Sequence, residues 1–263
     1  MVCNLLPADW SWSGKRALDF GCGAGRVMRH FMAEATEAEI WGCDIDAESV
    51  AWLQRNLCPP MHAFVVKEPP IPKPNDYFDL AWAISVFTHL TDEWSAWLLE
   101  LHRLLNANGV LIATFFGEAM SERVGGGRWE EDRVGMKVVG RGNDWEGGGP
   151  SVLHSQWWIR AHWGRAFDIV NLIPPAPELG VHHSWAVLRK RIDVSPTRAE
   201  LESPEPGEPR EAEALRQEVM ELRHEIEALR RTYEESRSWR MTRPLRELRR
   251  LTTPRTRRHH LRH

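Results

Sequence analysis

The sequence lacks the features of a disulfide-stabilised or membrane-spanning protein. Its 263 residues contain only four cysteines, which form no CxxC pair and follow no signal peptide, so they favour a reducing compartment over a disulfide framework. No stretch approaches the ~20 consecutive apolar residues of a transmembrane helix. We therefore expect a cytoplasmic protein.

The sequence also has little net charge, but that charge is unevenly distributed. The formal net charge is −3, although the last stretch of the chain is strongly basic. The rest of the chain is therefore acidic, which opposes binding to a phosphate backbone. Nucleic acid is accordingly disfavoured as a partner.

Residues 17–116 alternate short apolar runs with longer helical patterns, as βαβ units do. The segment "KEPPIPKPND" interrupts this alternation, and its prolines exclude regular structure. Helices are predicted at 26–35, 47–56 and 91–105, and the last two strands are "DIVNLI" and "VHHSWAVLRKR". The first five strands are predicted at 17–20, 39–43, 61–66, 78–84 and 110–117. Together these elements predict an α/β fold with a Rossmann-like, doubly wound sheet of about seven strands, which binds ligands at the carboxyl ends of its strands.

The turn after the first strand reads "DFGCGAGR" and carries glycine at every second position. Glycine is needed where the backbone has positive φ or where another molecule approaches closely. The spacing is GxGxG and departs from the GxGxxG of dinucleotide folds, which disfavours a pyrophosphate ligand and a nicotinamide-dependent oxidoreductase. Asp44 ends the second strand, where a carboxylate can accept both hydroxyls of a ribose. A ribose without a pyrophosphate indicates S-adenosylmethionine.

Four stretches resemble the successive motifs of class I S-adenosylmethionine-dependent methyltransferases: "LDFGCGAGR", "WGCDIDAESV", "FDLAWAISVFTHL" and "ELHRLLNANGVLIATFFG". The resemblance is good over residues 14–117 and loose over 118–190, and it implies S-adenosylmethionine as the cofactor. It implies that the loop from Asp19 to Gly25 surrounds the methionine part, that Asp44 holds the ribose and that Ile45 packs on the adenine. The cofactor contacts expected on this basis are Asp19, Gly21, Cys22, Gly23, Gly25, Asp44, Ile45, Ala83 and Ile84.

The sequence departs from this family after the third strand, where many members carry an acidic residue that reads the adenine amino group. The region reads "VVKEPPIP" here, which leaves open whether Glu68 or backbone groups take that role. The Asp/Asn-Pro-Pro-aromatic motif of base-methylating enzymes is also missing, since the corresponding position reads "AISV". Methylation of nucleic-acid bases is therefore disfavoured.

A hydroxyl acceptor usually needs a general base, and histidine has a suitable pKa. His89 is the catalytic candidate by its position after the fourth strand, although a histidine there is also commonly a capping or core residue. His154 and the pair His182–His183 are further candidates, and the pair has no carboxylate that would make it a metal site, so no metal is expected. The glycine-rich residues 118–150 are predicted to form a mobile lid, and the tryptophans at 157, 158 and 163 are predicted to lie in the core rather than to stack on a sugar.

The C-terminal part divides into three further segments after a methyltransferase domain at 1–192. Residues 193–210 are proline-rich and charged, which predicts a linker that packs no core, and 211–236 carry a heptad pattern that favours a parallel two-stranded coiled coil, homodimeric or mixed, over a lone amphipathic helix. The tail 237–263 has ten arginines against the single acid Glu247, so it is either a partly disordered solubilising tail or a contact for anionic lipid at the inner face of the plasma membrane.

Within the tail, "SWRMTRPLR" resembles a short segment found beside glycosyltransferase and methyltransferase modules of bacterial surface-polysaccharide assembly. The sequence therefore predicts an enzyme that methylates a hydroxyl of a sugar or glycan. A small metabolite or lipid as acceptor, and an inactive methyltransferase-like scaffold that acts through its coil, remain the alternatives.

Overall fold

The computed structural model describes residues 2–144, 148–176, 181–208, 219, 222–224 and 226–233. The chain divides into two compact units, Met1–Glu211 and Ala212–His263. Over the described residues, no helix combines the length and the apolar character needed to cross a membrane.

The first unit is built on a seven-stranded sheet with the order β3-β2-β1-β4-β5-β9-β8. The strands β1 to β5 run parallel, β9 runs antiparallel to β5, and β8 runs antiparallel to β9. This arrangement confirms the predicted Rossmann-like sheet. The strands are β1 Arg16–Phe20, β2 Glu39–Asp44, β3 His62–Val65, β4 Phe78–Ala83, β5 Leu105–Phe115, β8 Phe167–Ile173 and β9 Ser184–Lys190, with a separate pair β6 Met136–Val139 and β7 Ser151–His154.

The α-helices are α1 Ala47–Leu57, α2 Trp94–Leu104, α3 Glu118–Ser121, α4 Gln156–His162 and α5 Arg198–Glu202. The prediction of a helix at 26–35 is wrong, because two short 3-10 turns, at Met28–Phe31 and Glu34–Thr36, take its place. Met28 and Phe31 are both buried and are three residues apart, and a 3-10 turn, with three residues per turn, places them on one face.

Apolar side chains cover both faces of the sheet. Along β4, Ala81 and Ala83 belong to the core on one face, whereas Leu80 and Trp82 belong to the core on the other. This alternation is what a parallel strand buried on both faces requires. Trp158 and Trp163 are buried in the first of these cores, which confirms that they are core residues.

Residues 197–208 fold onto the first unit, so the expectation that 193–210 packs no core is wrong for this stretch. Thr197 opens α5 with a reciprocal capping box, and Leu201 is fully buried. The buried ring of His162 donates from Nδ1 to Leu201 O over 2.6 Å and lies 2.9 Å from a carboxylate oxygen of Glu208 through Nε2. Burial of Leu201 and this hydrogen-bonded histidine stabilise a segment whose composition is that of a linker.

Only part of the predicted coiled coil lies among the described residues. Residues 219, 222–224 and 226–233 are helical, and their apolar heptad positions are exposed: Val219, Leu222, Ile226, Leu229 and Tyr233. The rest of 211–236 and the whole tail 237–263 lie outside the described residues.

Candidate active site

The glycine loop after β1 is fastened to the end of β2 by backbone hydrogen bonds. Gly21 N and Cys22 N both donate to Cys43 O, over 2.8 and 3.1 Å. Gly23 N donates to Asp44 Oδ2 over 2.7 Å. The loop and the carboxylate that ends β2 therefore form one rigid edge at the carboxyl ends of adjacent parallel strands.

Glycine is required at the three loop positions for different structural reasons. A Cβ on Gly21 would lie 2.3 Å from Val86 Cγ2, and a Cβ on Gly25 would lie 2.8 Å from Leu57 Cδ1, so protein atoms fill both spaces. Gly23 has φ +50°, and a Cβ there would meet no protein atom within 4 Å. Gly23 is therefore the glycine of the loop whose side-chain space is open to a ligand.

Asp19 lies beneath this loop and is almost fully buried. Within the described part of the chain its Oδ2 has no hydrogen-bond partner. Burial raises the pKa of Asp19 to about 7, an effect to which the nearby charge of Asp44 adds. A buried carboxylate with an unused acceptor fits a ligand ammonium group, such as that of the methionine part of S-adenosylmethionine.

Asp44 is held by the backbone so that its carboxylate has a fixed orientation. Oδ2 accepts from Gly23 N, and Oδ1 accepts from Asp46 N over 2.9 Å. Each oxygen keeps a second lone pair, which suits two hydroxyls of a ribose. The adjacent Ile45 is 54% exposed, an unusual exposure for an isoleucine at a strand end and one that suits the apolar face of an adenine.

Two of the expected contact residues are buried away from this surface. Cys22 points into the core, where its Sγ packs against Gly42, and burial raises the pKa of the thiol. Ala83 has no exposed surface because it sits in the core beneath the end of β4. The structure thus leaves only the backbone of Cys22 near a ligand and removes the Ala83 side chain from the expected contacts, whereas Ile84 is half-buried.

His183 lies beside the end of β4. Its Nε2 is 3.3 Å from Ser85 Oγ, and its ring lies against Phe116 with centroids 4.9 Å apart. Ser85 has φ +62°, a strained conformation for serine, and its N–H donates to Thr114 Oγ1 over 2.7 Å. Strain held in place by such a contact is characteristic of functional sites.

The sequence analysis ranked His89 first and kept His183 only as one of several further candidates. Burial lowers the pKa of His183, and the neighbouring basic side chains of Arg26, His182 and His89 lower it further. His183 is therefore neutral near pH 7 and can accept a proton. The signal that could have found it is the start of the last strand, which is antiparallel and therefore begins at the carboxyl edge of its parallel neighbours.

His89, the histidine expected to be catalytic, lies at the same edge of the sheet. Its Nδ1 is 2.7 Å from Pro150 O, and a carbonyl can only accept, so Nδ1 carries the proton. Nε2 is then the ring nitrogen that this hydrogen bond does not use. His154, in contrast, is fully buried against Trp158 and Trp163, and burial lowers its pKa to about 3, so it is a core residue.

The segment predicted as a lid, 118–150, is partly regular, because it contains β6 and is followed directly by β7. The strands β6 and β7 pair antiparallel, and β7 is attached to the sheet edge by two backbone bonds of 2.7 Å, from Val152 N to Thr88 O and from His154 N to Phe116 O. Among the described residues, no group of three or more metal-ligating side chains comes together.

Comparison with known proteins agrees with this geometry. Residues 18–111 match the family model of a methyltransferase domain. No curated protein matches the sequence.

Solved structures with similar folds include S-adenosylmethionine-dependent methyltransferases from Methanosarcina mazei (16% identity, TM-score 0.53, covering 72% of this chain and 96% of that one) and from Mesorhizobium loti (18%, 0.52, 72% and 95%). A third is a Burkholderia thailandensis 1,6-didemethyltoxoflavin-N1-methyltransferase with bound 1,6-didemethyltoxoflavin and S-adenosylhomocysteine (16%, 0.50, 68% and 72%). At these identities the likeness shows the fold.

The matched domain covers the glycine loop, Asp44 and β4, where the unused acceptor of Asp19 and the fixed carboxylate of Asp44 fit the cofactor. Residues 18–111 are therefore a methyltransferase domain, and its site fits S-adenosylmethionine as the methyl donor.

Proposed function

We propose that the enzyme transfers the methyl group to a hydroxyl of a sugar or glycan. A hydroxyl acceptor is supported by two histidines that lie at the end of β4. His183 lies 3.3 Å from Ser85 Oγ, and His89 is held by a hydrogen bond to Pro150 O. A hydroxyl must lose its proton during transfer, and a neutral histidine at pH 7 can take it. The sugar part rests on the resemblance of residues 238–246 to segments of surface-polysaccharide systems.

The proposed cofactor contacts follow the edge formed by the glycine loop and the end of β2. Asp19 and the backbone of residues 21–25 hold the methionine part, Asp44 holds the ribose and Ile45 covers the adenine. Ile84, which is half-buried, is proposed to border the same pocket. S-adenosylmethionine supplies an electrophilic methyl group on a sulfonium.

In this proposal the protein holds the methyl donor and the acceptor in position and accepts a proton from the acceptor. The loop and Asp44 fix the methyl donor, while Ser85 and the two histidines fix the acceptor oxygen and take its proton. Alignment of the nucleophile with the methyl carbon and sulfur removes much of the barrier, so no metal is needed. The segment containing β6 and β7, fastened at Thr88 and Phe116, limits access of water to this edge.

A small metabolite is the second candidate acceptor. The Burkholderia thailandensis enzyme, whose fold is similar, acts on 1,6-didemethyltoxoflavin. An inactive scaffold is the third candidate, and the matched methyltransferase domain argues against it.

The proposed role of the C-terminal segments is to pair and locate the enzyme. Glu218 and Glu225 fall at g positions and Arg223 and Arg230 at e positions, so each glutamate faces an arginine of a parallel partner. The helical residues of 219–233 leave their apolar heptad positions exposed, which supports pairing. The arginine-rich tail is proposed to bind anionic lipid at the inner face of the plasma membrane.

Calorimetric titration with S-adenosylmethionine and with NAD, in parallel, tests the cofactor site. We expect micromolar binding of S-adenosylmethionine and none of NAD. Asp44→Ala should weaken binding by about 100-fold, because it removes two charge-assisted hydrogen bonds. The matched control is Asp46→Ala, which removes the cap from Glu48 N but leaves Asp44 in place.

Acceptors are then screened by release of S-adenosylhomocysteine in the presence of sugars, sugar phosphates, lipid-linked glycans and small heteroaromatic metabolites. Methylation of a sugar hydroxyl supports the proposal, and methylation of only the heteroaromatic set would replace it with the second candidate. A folded protein that binds neither cofactor would contradict the enzyme function itself.

A further inference from the structure

The acceptor edge carries an arginine, Arg123, that forms no ion pair with a carboxylate of the described residues and instead contacts a histidine ring. Arg123 Nη1 lies 3.2 Å from Nδ1 and 3.1 Å from Nε2 of His182. Near-equal distances to both ring nitrogens place the guanidinium across the imidazole rather than in line with one nitrogen. A guanidinium can only donate, so the imidazole accepts in this contact and the positive charge of Arg123 is not neutralised by it.

No carboxylate of a described residue forms an ion pair with Arg123 or with Arg26. Glu118 and Glu122 lie close in sequence to Arg123, but neither is paired with it. Other arginines of the same unit are paired, including Arg141 with Asp92 and Arg165 with Glu205. Among the described residues, no carboxylate neutralises the charge of Arg123, which is therefore available to an anionic ligand.

The position of this charge connects it to the acceptor site. His182 precedes His183, whose Nε2 lies 3.3 Å from Ser85 Oγ. Arg26 follows the glycine loop, and its charge acts on both Asp19 and His183. A ligand whose hydroxyl lies at His183 would place its neighbouring groups within reach of His182 and Arg123.

We infer that the methyl acceptor carries an anionic group, a phosphate or a carboxylate, which Arg123 and His182 bind while its hydroxyl lies at His183 and Ser85. The inference rests on the proposed function, since it assigns the class of acceptor to the same site. Arginine suits this role because its planar guanidinium presents paired donors to phosphate or carboxylate oxygens. An acidic or phosphorylated sugar meets this description.

The test uses the full-length protein saturated with S-adenosylhomocysteine, so that the cofactor site is filled. Glucose, glucose 1-phosphate, glucuronate and inorganic phosphate are titrated separately by calorimetry. We expect the phosphate or carboxylate sugar to bind at least about tenfold more tightly than glucose. Comparison of glucose 1-phosphate with glucuronate identifies which anion is preferred, and inorganic phosphate shows whether the anion alone suffices.

Arg123→Gln should remove this preference, and His182→Gln should reduce it, whereas Arg160→Gln, an exposed arginine on α4, should leave it unchanged. Equal affinity for charged and uncharged sugars, absence of binding by all four probes, or full retention of the preference in Arg123→Gln would overturn the inference. The affinity for S-adenosylhomocysteine is measured in the same samples. A protein that binds it but shows no anion preference contradicts this inference alone, whereas a folded protein that does not bind it contradicts the proposed function as well.

Discussion

The two halves of the proposed site are held in place by different kinds of contact. The cofactor half, residues 19–25 with Asp44 and Ile45, is fixed by backbone amides that donate to Cys43 O and to Asp44. The acceptor half, Ser85, His89, Phe116 and His183, is held mainly by contacts in which a side chain takes part. Hydrogen bonds between backbone groups can persist when neighbouring side chains are substituted, whereas a contact made by a side chain is lost or altered when that residue is replaced. The acceptor half is therefore where specificity can vary while the cofactor half stays the same.

The sharpest test of this comparison is His183→Gln, which should affect only the acceptor half. We expect kcat to fall about 10²- to 10⁴-fold, the usual contribution of a general base, while the affinity for S-adenosylmethionine stays unchanged. Because the pKa of His183 is lowered, the wild-type rate should persist below pH 6.5, where an ordinary histidine would be protonated. The measurements are a pH–rate profile with the acceptor that the screen identifies and calorimetry for the cofactor.

His89→Gln is the matched variant for this prediction. If it abolishes turnover and His183→Gln does not, then His89 is the base, as the sequence predicted. The acceptor hydroxyl would then lie at His89 rather than at His183.

Gly21→Ala should destabilise the protein at the point where the glycine loop of the cofactor half contacts Val86, next to Ser85 of the acceptor half. Its Cβ would lie 2.3 Å from Val86 Cγ2 at φ +78°, so crowding and backbone strain act together. We expect the free energy of unfolding, measured by urea denaturation, to fall by about 2–3 kcal/mol. Val86→Ala in the same chain should recover part of that loss, because it removes the clash but not the strain. No recovery would mean that the positive φ alone makes glycine necessary here.

The pH dependence of cofactor binding should report on Asp19, in the cofactor half. Its pKa is raised to about 7, and only the ionised carboxylate can pair with an ammonium group. Affinity for S-adenosylmethionine should therefore weaken by about tenfold for each pH unit below 7. Calorimetry at several pH values checks this, and Asp19→Asn should bind weakly at every pH, with little pH dependence from this source.

The Asp19 carboxyl group should also make the free energy of unfolding of the ligand-free protein depend on pH. In the folded protein the pKa of Asp19 is about 7, above the ordinary value of 3.8. Its contribution to the free energy of unfolding is therefore fully present below pH 3.8 and is lost as the pH rises through about 7. Comparison of wild type with Asp19→Asn by urea denaturation isolates this trend. A difference between the two proteins that did not change with pH would contradict the raised pKa.

Much of the cofactor half could be predicted because its signals are local. The GxGxG spacing and the acid at the end of the second strand fall within 26 residues, and strand order along the chain places them side by side. The burial of the Cys22 and Ala83 side chains could not be predicted, because burial of an individual side chain depends on which way its strand or turn faces. The helix expected at 26–35 failed for a similar reason, since the spacing of buried Met28 and Phe31 suits a 3-10 turn.

The amino-acid sequence by itself determined the strand alternation, the glycine loop and the position of Asp44, since each depends on residues close together in the chain. Only the tertiary structure decided that His183 meets Ser85, 98 residues away, and that Leu201 and Glu208 fold a linker-like segment onto the core. Such contacts depend on the antiparallel register of β9 on β5 and on the packing of α5. Composition and spacing do not encode these long-range features in any single stretch, because they arise only when distant segments share one core.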